Sequence, residues 1–225
     1  MDTAFLEKEI NTYMGRLLRD KFGRGPGNVF SSVTEECIAI YITGFLSPME
    51  KSLMDHQKID YVQRTRDLLM ENLKEEIQSQ LEAYVETNIN EIYYDWNLDG
   101  QTGMVLALIS DCEPNMDNGK VSQKVNDVID QVSIEAEKSP DEIYSIRIDE
   151  RKLMVVRKGI LISIERELIS LGYEETLRIA KRNQEKRLVG KYVSQMEGYL
   201  HKGIADYFID WNFDKDKSYM LFILK

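Results

Sequence analysis

The residues best equipped for metal chemistry in this 225-residue chain are Asp95-Trp96-Asn97-Leu98-Asp99-Gly100. Side-chain oxygens at the first, third and fifth positions, with glycine at the sixth, open a calcium loop of the EF-hand kind. The twelfth position, which must supply a bidentate Glu, is Leu106, and the related run Asp210-Trp211-Asn212-Phe213-Asp214-Lys215 has Lys where the glycine belongs. The flanks alternate like strands, where that motif needs helices. A structural corner is expected instead, with Asp and Asn bonding the turn backbone while Trp96 and Trp211 pack a sheet against helices. His56 and His201 have no Cys or His at ligand spacing, so neither a metal nor a cofactor is expected. Both histidines read as surface residues at or near helix ends.

The second candidate is an anion site at Gly23, Arg24, Gly25, Gly27 and Asn28. Backbone amides freed by glycine, beside a guanidinium, can form a small nest for an anion. The loop follows a helix and does not lead from a strand into one, so it is neither a Walker loop nor a dinucleotide fingerprint. A helix C-cap followed by a turn is the competing reading. The matching stretch later in the chain, Lys138-Ser139-Pro140-Asp141-Glu142, has lost the glycines and gained acids, so such a site belongs to the first half only.

Catalysis has no motif behind it, and no enzyme is expected. Ser31, Ser32, Ser47 and Ser52 lack a nucleophile elbow, and neither histidine is placed as their base. Glu75-Glu76 and Glu174-Glu175 read as exposed helical carboxylates. Arg178, Lys181, Arg182, Lys186, Arg187 and Lys191 form the one basic stripe, without the interleaved aromatics that stack single-stranded bases. It is expected to be a solvated helix face or a docking surface for the acidic first half.

Charge limits the partners. The chain has 29 basic and 39 acidic side chains, a net charge of −10, so phosphate backbones and anionic lipid surfaces are repelled. The acidity is lopsided: residues 1–112 hold 10 basic and 19 acidic side chains, whereas residues 113–225 hold 19 and 20. No apolar run approaches the length of a spanning helix, and the first residues carry acids where a leader peptide needs a basic stretch. Cys37 and Cys112 read as isolated thiols in a strand and a linker. A reducing cytoplasmic location is expected, with neither nucleic-acid partners nor direct membrane insertion.

These residues are positioned by elements that recur. Residues n and n+115 agree from Gly44 to Ile109 without a gap, with 15 identities in 66 pairs and both tryptophans superposed. The opening helices keep the same offset, and only the stretch around Pro26 and Pro140 slips by one residue. A period this long indicates a duplicated domain and excludes a solenoid. Each copy reads α-β-β-α-β-β. In the first, an amphipathic helix spans 3–21 with Asp2 or Thr3 as cap, and strands 29–33 and 37–45 form a hairpin. Ser47-Pro48-Met49-Glu50 is a helix start with cap, first-turn proline and capping-box Glu. A long helix runs from about 60 to 86, with Val62, Leu69, Leu73, Ile77, Leu81 and Tyr84 on one face. A second hairpin spans 89–98 and 104–109, and the polar segment 111–118 links the copies. The fold class is α+β: two tandem units, 1–112 and 113–225, each an antiparallel sheet packed against a long helix.

Gly23 to Pro26, a hairpin, then Gly44, Leu46, Ser47, Pro48 and Glu50, then Val62 and Arg66 on the long helix, together resemble the bacterial MpsC-like domain. The second copy departs from this pattern, with Ser163 at the Pro48 position and no glycine-rich loop. The resemblance implies a soluble accessory or regulatory protein of a membrane cation or inorganic-carbon system. It further implies a protein partner, such as a membrane transport complex, and a homo-oligomer is compatible with it. The alternative function is a small-anion sensor using Gly23 to Asn28.

Overall fold

The computed structural model describes residues 3–109 and 120–225. The chain divides into two compact units, the first ending at residue 112 and the second beginning at 113. The expected cap Asp2, Cys112 and the linker 111–118 lie outside the described residues.

Unit 1 begins with α1 (Thr3–Phe22), whose buried side of Leu6, Ile10, Met14, Leu17 and Leu18 follows the three- and four-residue spacing of an amphipathic helix. β1 (Asn28–Val33) and β2 (Cys37–Thr43) form the first hairpin. α2 (Pro48–Asp55) is one short turn of chain before α3 (Ile59–Val85), and β3 (Glu91–Asn97) with β4 (Thr102–Leu108) closes the unit. The four strands make one antiparallel sheet in the order β1-β2-β4-β3. α1 also covers the sheet edge: Asn11 Oδ1 accepts from Ser31 N at 2.8 Å and Glu7 Oε1 from Val33 N at 3.1 Å. Those bonds occupy amides that an edge strand would otherwise offer to another chain.

Unit 2 repeats this order with α4 (Lys120–Ala136), β5 (Glu142–Arg147), β6 (Lys152–Lys158), α5 (Ser163–Ser170), α6 (Glu174–Leu200), β7 (Ile204–Asn212) and β8 (Lys217–Leu224). Its sheet is again antiparallel, in the order β5-β6-β8-β7. The correspondence reaches backbone conformation. Gln57 and Gly172, Glu86 and His201, Gln101 and Asp216, and Gly44 and Gly159 all have positive φ and stand 115 residues apart. The slip is visible too: Gly27 N donates to Thr43 O and Asp141 N to Lys158 O, an offset of 114 on one side and 115 on the other.

Each sheet has two apolar faces. Ile38, Ile40, Ile42, Val105, Ala107 and Trp96 join the helices in the first core. Strand alternation turns Cys37, Ala39, Tyr93, Met104, Leu106 and Leu108 the other way, and these are at most 2% exposed as well. In unit 2, Leu153, Val155, Met220 and Phe222 face the helices, whereas Met154, Val156, Phe208 and Leu221 face away and are equally buried. Burial on both faces explains why β4 and β8 read as near-continuous apolar runs without polar alternation.

Candidate functional site: buried ion clusters beneath the helices

In unit 1 the polar centre starts from a helix cap. Ser47 caps α2, its Oγ accepting from Glu50 N while Glu50 Oε2 accepts from Ser47 N at 2.8 Å. Because Glu50 is buried, its carboxylate needs a second partner. Arg66 of α3 supplies it, with Nε 2.7 Å from Oε1 and Nη2 3.0 Å from Oε2. The guanidinium is 1% exposed and lies 3.9 Å from the Phe45 ring centre, 4.6 Å from Phe22 and 4.7 Å from Trp96. Burial lowers the Arg66 pKa, and its hydrogen bond and coulombic attraction to Glu50 oppose that shift. A cation enclosed by three aromatic faces and one carboxylate is a packing device joining α1, α2, α3 and the sheet. It leaves no face of the guanidinium for substrate.

At the 115-residue offset, unit 2 has Glu165 for Glu50, Lys181 for Arg66, Trp211 for Trp96 and Ile160 for Phe45, while Phe22 becomes Glu137. Two walls of the aromatic cage are thus lost and a carboxylate is gained. Lys181 Nζ lies 2.6 Å from Glu165 and 2.7 Å from Glu137. Glu165 keeps the capping role, accepting from Ile162 N at 3.1 Å. Burial alone lowers the Lys181 pKa, but Glu185, Glu137 and Glu165 outweigh it and the net shift is upward.

A second cluster adjoins it. Arg157 of β6 is bonded by its Nη2 to Glu185 of α6 at 2.5 Å, by its Nη1 to Ser133 Oγ at 2.9 Å and by its Nε to Ser218 Oγ at 2.8 Å. The offset places Ile42, Met70, Leu18 and Gly103 at these four positions in unit 1. Where unit 1 has three apolar core residues and a glycine, unit 2 has a guanidinium and three side chains that accept from it. One turn earlier on α6, Arg178 pairs with Glu174 and Asp210 and lies 4.7 Å from the Phe213 ring.

The basic stripe expected on the surface is therefore divided. Lys181 and Arg182 are buried, Arg178 is largely enclosed, Lys186 is half-buried, and Arg187 and Lys191 face solvent. The helical repeat explains the division, since 178, 181, 182 and 185 share the inner side of α6. The stripe is neither a uniformly solvated face nor a continuous docking surface.

Asp95 Oδ1 accepts from Trp96 N and Asn97 Oδ1 from Gly100 N, with Asp210 and Asn212 doing the same for Trp211 and Lys215. The hexapeptides are corners of hairpins, and among the described residues no group of three or more His, Cys, Asp or Glu is arranged to hold a metal ion. His56 and His201 are exposed C-caps of α2 and α6. Glu75, Glu76, Glu174 and Glu175 are exposed, while Leu69 and Tyr84 are only half-buried on a face otherwise carried by Val62, Leu73, Ile77 and Leu81. In the glycine-rich loop, Gly23 has φ +73° just after α1, as a helix-ending residue does. Gly27 N is spent on Thr43 O at 2.7 Å, and Asn28 Nδ2 reaches Thr43 Oγ1 at 3.5 Å. Arg24 is exposed and Gly25 packs beside the Arg19 side chain.

The family model for MpsC, a Na+-translocating membrane potential-generating system, matches residues 3–111. The first unit belongs to the MpsC family. No curated protein and no solved structure matches the chain. The Arg66–Glu50 pair therefore lies inside the MpsC region, whereas the Lys181 and Arg157 clusters lie in the part of the chain beyond it. No helix among the described residues is long and apolar enough to cross a membrane. The sequence pointed to Glu50 and Arg66 as pattern residues but not to their contact. It missed Arg157 and Glu185 altogether. The available signal was the offset itself, which sets two opposite charges against Ile42 and Met70.

Proposed function

We propose that this chain is a non-enzymatic accessory or regulatory protein of a sodium-translocating, membrane-potential-generating system, acting from the cytoplasm through contact with a membrane-bound partner. The match of residues 3–111 to the MpsC family carries this reading. The use of buried polar groups supports it: Glu50 caps a helix and pairs Arg66, and Asp95 bonds backbone, so each serves packing. The second unit, with its own sheet order and its 115-residue equivalences, reads as a diverged copy of the first. The test is deletion of the chain in its own cells, followed by measurement of sodium-dependent membrane potential and of the chain's recovery with the membrane fraction. Loss of the sodium-dependent component, restored by re-expression, is expected. An unchanged potential and sodium flux would overturn the reading.

The alternative is a small-anion sensor at Gly23, Arg24, Gly25, Gly27 and Asn28. Exposure of Arg24 beside the positive-φ Gly23 favours it. Phosphate, sulfate and bicarbonate titrations compared with an Arg24→Ala variant distinguish the two, because an anion response that survives the substitution removes this reading.

A further inference from the structure

Three carboxylates meet one ammonium where α4 ends against α5 and α6. Lys181 Nζ lies 2.6 Å from Glu165, 2.7 Å from Glu137 and 3.8 Å from Glu185. β6 contributes Arg157, bound to the same Glu185. Two cations thus face three carboxylates in a region whose side chains are 2–4% exposed, apart from Glu137 at 16%. On the next turn Arg178 is occupied by Glu174 and Asp210. Within the group around Lys181 the carboxylates outnumber the cations by one, and a buried excess charge is costly enough to be removed by protonation.

The proton has one natural address. Glu165 already accepts from Ile162 N and Lys181, and Glu185 from Arg157. Glu137 accepts from Lys181 and is the most solvent-accessible of the three, which gives a proton a route in and out. We propose that unit 2 holds a one-proton binding site at Glu137, in which the protonated carboxyl hydrogen-bonds toward Glu165 while Lys181 remains charged between them. Burial is the largest influence on this carboxyl and Glu165 adds to it; against the pull of Lys181 they push Glu137 up to about 7. Proton release places full charge at the end of α4, beside the bond from Gln184 Nε2 to Ala136 O that fastens that end to α6. The α4–α6 junction is therefore the element loaded by pH. The first unit has no counterpart, since Phe22 stands at the Glu137 position.

The test is a carboxyl 13C NMR titration of the full chain, with Glu137→Gln for assignment. One glutamate signal with a midpoint about two units or more above the ordinary value is expected, and it should vanish in Glu137→Gln. Glu137→Phe, which installs the residue of the first unit, should remove it equally and serves if the glutamine variant fails to fold. Titration of every glutamate in the ordinary range would overturn the proposal, as would a near-neutral signal that survives substitution of Glu137.

Discussion

Glu50 Oε2 accepts from Ser47 N at 2.8 Å and from Arg66 Nη2 at 3.0 Å, so one oxygen both caps α2 and anchors α3. Truncating Arg66 to Ala should be far more damaging than its single charge suggests. It leaves Glu50 buried without a counter-ion and opens space among Phe22, Phe45 and Trp96. A loss of about 3–5 kcal/mol is expected for breaking such a buried pair. Urea unfolding of the full chain with Trp211 replaced by Phe, so that the fluorescence comes from Trp96, reads it. The double substitution Glu50→Gln with Arg66→Met should cost much less, and equal damage from both would contradict the assignment.

Arg157 and Glu185 should be replaceable together but not singly. Arg157→Ile or Glu185→Met alone strands a buried charge, at about 3–5 kcal/mol. The pair of substitutions recreates the Ile42–Met70 combination of the first unit and should recover most of that loss. A double-mutant cycle by chemical denaturation measures the coupling, and additive single effects would show that the two do not act as a pair.

Gly103 should not tolerate a side chain. A Cβ built there runs into the Trp96 ring, which is itself pinned by Phe45 and the Arg66 guanidinium. Gly103→Ala should destabilise unit 1 by about 1–3 kcal/mol through overpacking. The equivalent residue in unit 2 is Ser218, so Ser218→Ala should leave packing intact and cost only the bond to Arg157 Nε. Thermal melts of the two variants should therefore rank Gly103→Ala as the more damaging.

Stability should fall as pH rises through neutrality, and the fall should belong to unit 2. The folded-state pKa of Glu137, about 7, lies above the ordinary carboxylate value. Below that ordinary value both states are protonated and the stabilisation is fully present; it declines as pH rises and is lost above about 7. Hydrogen exchange in α4 and α6 should accelerate between about pH 6 and 8 beyond the intrinsic chemical trend. Glu137→Gln should flatten this dependence, and a profile identical to the parent protein would count against Glu137 as its source.

The elements were largely legible because each follows from short-range rules. The Ser47-Pro48-Met49-Glu50 start became a capped helix with its reciprocal bonds in place. Alternation and turn residues placed both hairpins of the first unit, and the strand bounds shifted by only a residue or two at their ends. The basic stripe departs from the expected solvated face for a physical reason. A run of Lys and Arg has the same appearance whether its helix face meets water or carboxylates. Besides Glu174 and Glu185 on the same helix, Lys181 and Arg178 take partners from Glu137, Glu165 and Asp210, which lie 16 to 44 residues away in sequence.

By itself, then, the sequence determined the two hairpins and long helices of each unit, the 115-residue equivalence, the caps and turns, and the lopsided charge, although its α-β-β-α-β-β order leaves out the short helices α2 and α5 as separate elements. These depend on local propensity, patterning and composition. Tertiary structure alone decided that Arg66 is held in an aromatic cage and that Ile42 and Met70 correspond to a charged pair with two attendant serines. It also decided that three carboxylates converge on Lys181. Burial and counter-charge are properties of surroundings assembled from distant segments, and only folding brings those segments within a hydrogen bond of one another.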